Sequence, residues 1–187
     1  MSFINPKQKE IVCKIVYAGA PFSGKSTSLR KIYDQMGGKK PVTLSDETLF
    51  FDFVPLSLGK IDGMNVHFHL YTLPPQKTYD TTCKMILKGL DGVIFVVDSQ
   101  IQKVQESFEN FESLKKQIES ENSWSKVSKA FQYNKRDLKE ALPIDSLHTL
   151  FNQDNSAFEF ESVATKGTQV IEAFQAVMKS VLLELKR

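Results

Sequence analysis

Two short polar segments carry residue types that could bind a phosphorylated ligand. The first, GAPFSGKS at residues 19–26, follows an apolar run and precedes a segment with helical spacing. It matches G-x-x-x-x-G-K-[ST], in which glycines let backbone N–H groups face phosphates, the lysine adds charge and the final hydroxyl offers a ligand to Mg²⁺. A Gly-Lys turn that only caps a helix is the competing interpretation, but the flanking strand and helix favour nucleotide binding. We therefore predict contacts to a nucleotide from Gly19, Ala20, Ser23, Gly24, Lys25, Ser26 and Thr27.

The second segment, NKRD at residues 134–137, indicates which base is bound. A carboxylate after a strand, such as Asp137, can accept hydrogen bonds from N1–H and the 2-amino group of guanine, which adenine lacks. A polar loop that caps the next helix is the alternative interpretation. Because a phosphate loop lies about 110 residues earlier, we predict guanine binding with Asn134, Lys135 and Asp137 at the base.

Short apolar runs alternate with longer helical segments, which is typical of a mostly parallel sheet. Helices are predicted at 25–36, 79–90, 104–120, 144–152 and 168–187, and strands at 11–19, 93–98, 129–134 and 157–163. Residues 44–72 carry two further strand patterns joined through GKIDG with no helix between them, so one sheet edge should be antiparallel. The predicted fold is α/β, with six strands, helices on both faces and one domain over residues 1–187.

Bulk properties exclude several classes of protein. The 187 residues are 41% hydrophobic and 25% charged, with a formal charge of +2, which predicts a soluble domain without a nucleic-acid surface. Cys13 and Cys83 form no metal-binding or disulfide pattern, as expected in a reducing cytosol. The N-terminal MSFINPKQKE and C-terminal LLELKR are not lipidation or secretion signals, so we expect no lipid anchor.

The two motifs occur in a chain that resembles Ras-like small GTPases, and more closely the MglA-type polarity and gliding-motility GTPases of bacteria. The resemblance covers essentially the whole chain. It is carried by MSFIN, CKIVY, TLFFDFVPLSLG, FHLYTLP, MILKGLDGVIFVVDSQI, QYNKRDL and SVATKG.

The resemblance implies a P-loop small G domain that binds GTP or GDP with Mg²⁺ and switches two loops on hydrolysis. It implies that Thr48 binds the metal in addition to Ser26, and that Gln76 orients the attacking water. It also implies that the N–H of Ala164 donates to guanine O6. The implied partners are a roadblock-type homodimer that activates hydrolysis, and polarity effectors. The implied location is the cytoplasm, with recruitment to a cell pole.

Three residues depart from the family pattern, and two of them, Pro75 and Glu47, concern the γ-phosphate. Pro75 stands where GTPases have a glycine whose N–H binds that phosphate, a bond worth roughly 1.5–3 kcal/mol that proline cannot make. Glu47 stands where the relatives have an arginine finger, worth about 10³–10⁵ in rate. Pro21 stiffens the phosphate loop, and Thr72, shared with the relatives, replaces an aspartate of the metal's outer shell. We therefore predict weak intrinsic GTP hydrolysis and weak discrimination of GTP from GDP, with a nucleotide-bound scaffold lacking hydrolysis as the alternative.

Other residues have competing interpretations. Asp98 resembles a Walker B acid, but we predict that it caps the helix beginning near Ile101. His67 and His69 share a strand face without an apparent third ligand, which favours an exposed sheet face over a metal site.

Two aromatic-rich segments also have more than one interpretation. Trp124 fits either a surface anchor or a packing residue. In the FFDF segment the alternation predicts one face toward the core and the other toward a partner. The predicted core face comprises Leu49, Phe51 and Phe53, and the predicted contact face comprises Phe50, Asp52 and Val54.

Overall fold

A computed structural model describes residues 3–5, 8–37, 42–46, 49–74, 80–121 and 124–185. Strands and helices alternate through most of this range. The strands are β1 (Phe3–Asn5), β2 (Glu10–Ala18), β3 (Val42–Asp46), β4 (Leu49–Ile61), β5 (Met64–Thr72), β6 (Gly92–Asp98), β7 (Ser128–Asn134) and β8 (Phe158–Glu161). The helices are α1 (Lys25–Met36), α2 (Asp80–Leu87), α3 (Ile101–Glu121), α4 (Ile144–Phe151) and α5 (Val170–Leu185), with a 3₁₀ turn at Trp124–Lys126.

The strands form one sheet in the order β3-β4-β5-β2-β6-β7-β8. The pairs from β5 through β2, β6 and β7 to β8 are parallel, whereas β4 runs antiparallel to β5. The predicted six-stranded, mostly parallel sheet with an antiparallel edge is therefore confirmed. Two short strands extend it: β3 pairs antiparallel with β4, and β1 pairs antiparallel with the first residues of β2.

The predicted hairpin connects β4 and β5 through a tight turn. Asp62 and Gly63 have φ values of 49° and 79°, and such an Asp-Gly pair is typical of a type I′ turn, whose twist matches that of paired strands. The turn sets the pairing of Ile61 with Met64, and a shift of register between Ser57 and Lys60 then places Val54 opposite Leu70.

Two apolar clusters lie on opposite faces of the sheet. One packs α1 and α5 against β2, β4, β5 and β6, with Ile15, Phe68 and Phe174 fully buried. The other packs α2, α3 and α4 against β6 and β7, with Phe95 and Leu114 at its centre. The two clusters hold the carboxyl ends of β2 and β7 at the same edge of the sheet, where ligands bind in folds of this kind.

The predicted faces of β4 were partly wrong. Val54 is fully buried in the α1 face of the core, whereas Phe53 is half-buried on the other face and packs its ring 4.9 Å from that of Tyr71. The reason is that α1 and α5 cover the face that carries Val54, while the aromatic face lies toward a part of the sheet that is only partly covered. The side chains of Leu49 and Phe50 lie outside the described residues.

Several smaller predictions also have an outcome. Trp124 is a packing residue, since its ring lies 5.9 Å from that of Phe111 and faces the ammonium of Lys129 at 5.2 Å. Cys13 and Cys83 are buried thiols. Among the described helices none is long and apolar enough to cross a bilayer.

Candidate nucleotide-binding site

The predicted phosphate loop joins β2 to α1, and its backbone repeatedly enters the left-handed region. Gly19, Phe22 and Gly24 have φ values of 138°, 60° and 114°. Alternation of this kind turns successive N–H groups toward a common point and forms an anion-binding concavity. Gly24 occupies the N-cap of α1 without a side-chain cap, so the first turn of the helix offers its N–H groups and its dipole to an anion.

Gly24 is required at its position for steric reasons. A Cβ there would lie 2.2 Å from Nδ2 of Asn134, and one at Gly19 would lie 2.2 Å from the carbonyl oxygen of Val96. The loop therefore packs directly on β6 and β7 with no room for a side chain at these two points. The two glycines of the motif serve this close approach as well as the left-handed backbone.

Lys25 lies inside the loop. Its Nζ donates to the carbonyl oxygens of Gly19 at 2.9 Å and Ala20 at 2.8 Å. Burial lowers the pKa of Lys25 to about 8, and the negative charge of Asp52 opposes this shift. The ammonium is thus poorly solvated, and a phosphate beside it would favour its charged form.

Asp52, predicted only as part of a partner-contact face, lies near the phosphate loop. Its backbone N–H donates to Oγ1 of Thr72 at 2.7 Å, and that hydroxyl donates to Oδ2 of Asp52 at 3.3 Å. A carboxylate from β4 therefore stands against the hydroxyl at the end of β5. The antiparallel register of these strands is the signal that could have placed it there.

Asn134 joins the predicted base-reading loop to the phosphate loop. Its Nδ2 donates to the carbonyl oxygen of Ser23 at 2.7 Å, while its Oδ1 accepts from the N–H of Ala164 at 2.8 Å and from the hydroxyl of Ser162 at 3.2 Å. The side chain is buried, so these bonds are shielded from water. The geometry brings together three segments that are far apart in the sequence.

The Ala164 N–H is therefore engaged within the protein. Its predicted contact with guanine O6 stays a prediction, and it requires this N–H to be shared between two acceptors. Asp137 forms an ion pair with Lys166 at 3.1 Å that is partly exposed, so its carboxylate is accessible from the solvent side.

Lys135 is held by Asp98 at the end of β6. The Nζ to Oδ2 distance is 2.6 Å, and the Asp98 side chain is only 4% exposed. Its Oδ1 accepts from the N–H of Gln100 at 3.2 Å, just before α3 begins at Ile101. This bond forms a turn just before α3, and the predicted cap on the N–H groups of the helix itself stays a prediction. The same carboxylate also orients Lys135 of the base-reading segment.

Not all predicted residues can be placed. Ser26 is exposed and Thr27 half-buried on the first turn of α1, as their roles require. Thr48 and Gln76, together with Glu47 and Pro75, lie outside the described residues, so their roles stay predictions.

The histidine pair lies away from this site. Nδ1 of His67 is 3.0 Å from the hydroxyl of Ser57, and His69 packs edge-on against Phe53. Burial lowers the pKa of His69, and the nearby charges of His67 and Lys14 lower it further. Both histidines lie on the half-buried face of β5, and among the described residues no cluster of three metal-ligating side chains occurs.

Comparison with known proteins agrees with this geometry. A model of the Ras family matches residues 14–183. The chain is 44% identical to the Mutual gliding-motility protein MglA of Myxococcus xanthus (strain DK1622), over 100% of this chain and 99% of that protein. It is 28% identical to the GTP-binding protein yptV2 of Volvox carteri, over 95% of this chain and 78% of that one. Ras-related protein Rab-13 of Canis lupus familiaris is 25% identical over 66% of this chain and 60% of its own length. The chain therefore belongs to the Ras family.

Proposed function

We propose that this protein is a guanine-nucleotide switch that acts in cell polarity or gliding motility. Membership of the Ras family implies guanine nucleotide binding. The observation that carries the proposal is the junction at Asn134, which packs the base-reading loop against the phosphate loop. The process is proposed from the 44% identity to a gliding-motility protein along the whole chain.

The residues at the phosphate end fit a nucleotide held with Mg²⁺. This ion is usually bound by one or two protein oxygens together with phosphates and waters. Ser26 offers a hydroxyl at the start of α1, and Asp52 offers a carboxylate close enough to act on the charge of Lys25. When bound, the ion would offset the negative charge of the phosphates, while Lys25 and the first turn of α1 hold and orient them. Thr48 is proposed as the remaining protein ligand.

Weak sensing of the γ-phosphate is the second part of the proposal. Pro75 has no N–H for this phosphate, and Glu47 supplies a negative charge where an arginine finger would stabilise the transition state. Gln76 is kept as the residue that orients water. Binding of GDP and GTP should therefore be retained, while hydrolysis is slow.

The same two residues favour a second candidate, in which the protein is a nucleotide-bound scaffold that has lost hydrolysis. In either case the proposed partners are a roadblock-type homodimer and polarity effectors, and the proposed location is the cytoplasm with recruitment to a cell pole. The two candidates differ in whether a partner restores turnover.

Single-turnover hydrolysis of GTP, with and without a roadblock-type homodimer, separates them. For the switch we expect slow intrinsic hydrolysis that the partner accelerates. Hydrolysis that stays undetectable with the partner bound would favour the scaffold. Fast hydrolysis by the protein alone would refute the predicted effect of Pro75 and Glu47.

A further inference from the structure

A buried hydrogen bond connects the phosphate-binding helix to the strand that ends at the base-reading loop. Nε2 of Gln132 on β7 donates to the hydroxyl of Ser28 on α1 at 2.9 Å. Both residues are 0% exposed, and they lie 104 positions apart in the chain. This contact involves no residue that the two nucleotide-binding motifs contain.

Both residues lie close in sequence to predicted binding residues. Gln132 precedes Asn134 by two positions on β7, so the two side chains leave the same face of the strand. Ser28 lies in the first turn of α1, and its N–H donates to the carbonyl oxygen of the N-cap residue Gly24 at 2.9 Å. A displacement at Ser28 is therefore passed directly to the turn that carries Lys25 and Ser26.

The surroundings of this pair are apolar. Leu29 and Ile32 on α1 and Ala130 on β7 belong to the buried cluster on this face of the sheet. Within the described residues Oε1 of Gln132 has no hydrogen-bond partner, which is an unfavourable feature in a core. An apolar pair of similar shape would be about as stable, so stability alone does not explain these residues. A directional bond does what apolar packing cannot, because it defines one distance and orientation between helix and strand.

We propose that Gln132 is a positioning residue for phosphate binding, which holds the first turn of α1 at a defined distance from the base-reading end of β7. The inference rests on the proposed guanine nucleotide binding. Two side chains of β7 thus support the site through hydrogen bonds. Asn134 bonds to the phosphate loop, and Gln132 bonds to the helix that follows this loop. Nucleotide sites lose affinity when such supports let the binding groups move by about 0.5 Å.

The test compares ligands that differ in phosphate number or in base, measured with the full chain and Mg²⁺. Affinities for GDP, GMP and IDP are determined for the wild type and for Gln132→Leu and Ser28→Ala, by competition against a fluorescent GDP. Because GDP relies more on the first turn of α1 than GMP does, we expect the GDP affinity to fall about tenfold and the GMP affinity less than about twofold. The ratio of GDP to IDP, which reports the base, should stay unchanged.

Both substitutions remove the same hydrogen bond. The double variant Gln132→Leu/Ser28→Ala should therefore lose no more GDP affinity than the single variant with the larger loss. Ser180→Ala is the matched control. It removes the 2.9 Å bond from the Ser128 hydroxyl to the Ser180 hydroxyl, which ties the same strand to α5. We expect Ser180→Ala to lower the thermal midpoint of unfolding about as much as Gln132→Leu and Ser28→Ala do, without changing the ratio of GMP to GDP affinity.

Equal losses for GDP and GMP, or no loss for either, would overturn the positioning role while leaving nucleotide binding intact. Absence of GDP binding by the wild type would overturn the proposed function and this inference together.

Discussion

The sheet has two differently built halves beside the phosphate loop. One half consists of β6 and β7, and the other is the β4–β5 hairpin. Every residue of β6 and β7 is buried, and both strands are covered by helices on each face. In β5, by contrast, buried and half-buried residues alternate, because one face of the β4–β5 hairpin is only partly covered. Helices on both faces bury β6 and β7 completely, whereas the β4–β5 hairpin has a face on which partners or loops can act.

The phosphate loop is connected differently to the two halves. Toward β7 it is held by the Asn134 bond to Ser23, with the Gln132 bond to Ser28 behind it. Toward β4, the negative charge of Asp52 acts on Lys25 and raises its pKa against the effect of burial. Under the proposed function, the base and the inner phosphates would therefore be bound by the part of the protein that these hydrogen bonds hold together. Sensing of the γ-phosphate is the proposed role of Thr48 and Gln76, which lie outside the described residues.

The largest expected effect comes from Gly24→Ala, which disrupts the packing of the phosphate loop against β7. The new methyl group would clash with Asn134 in a left-handed backbone, and overpacking with strain costs about 2–5 kcal/mol. Because the loop relieves this clash by leaving its binding geometry, GDP affinity should fall by about 30-fold or more. Calorimetric titration with GDP measures this.

Gly37→Ala is the matched control for that variant. Gly37 ends the same helix at φ 65°, but nothing lies within 4 Å of its added Cβ. It should lower stability by strain alone and leave GDP affinity within about twofold of the wild type. An equal loss of affinity in both variants would contradict the steric account of the site.

Pro75→Gly sharpens the comparison from the other half. It restores an N–H that can bind the γ-phosphate, a charge-assisted bond worth roughly 1.5–3 kcal/mol, so affinity for a nonhydrolysable GTP analogue should rise about 10- to 100-fold. GDP affinity should not change, since GDP lacks this phosphate. Titration of the variant with both nucleotides tests this, and a parallel gain for GDP would show that proline acts on the loop as a whole.

A smaller effect is expected from pH, through Lys25 at the boundary of the two halves. In the free protein its pKa is lowered to about 8, and bound phosphate raises it again. The complex therefore holds more protons than the free protein above this pKa, so affinity decreases as pH rises. Between about pH 7.5 and 8.5 the GDP affinity should fall about threefold.

The pH effect has its own control in Lys25→Arg. A guanidinium stays charged across this range, so the affinity of this variant, although lower, should be independent of pH. The same slope in both proteins would assign the titration to another group.

Features that depend on residues close together in the sequence could be predicted, whereas features that depend on contacts between distant segments could not. The phosphate loop and NKRD were predicted because their glycines, lysine and carboxylate act within a few residues, with a strand and helix as context. The roles of Asp52 and Val54 were missed because they depend on which face of an antiparallel hairpin the helices cover. The contact from Gln132 to Ser28 joins residues that no local pattern connects, and β1 has too few residues for a period to appear.

The central claim is that this protein binds guanine nucleotide firmly but barely distinguishes GTP from GDP. The most direct measurement is the dissociation constant of GDP and of a nonhydrolysable GTP analogue, determined side by side with Mg²⁺. We predict a difference of less than about tenfold, which is about 1.4 kcal/mol. A preference for the GTP analogue of about tenfold or more would contradict the account, because γ-phosphate sensing would then be intact despite Pro75.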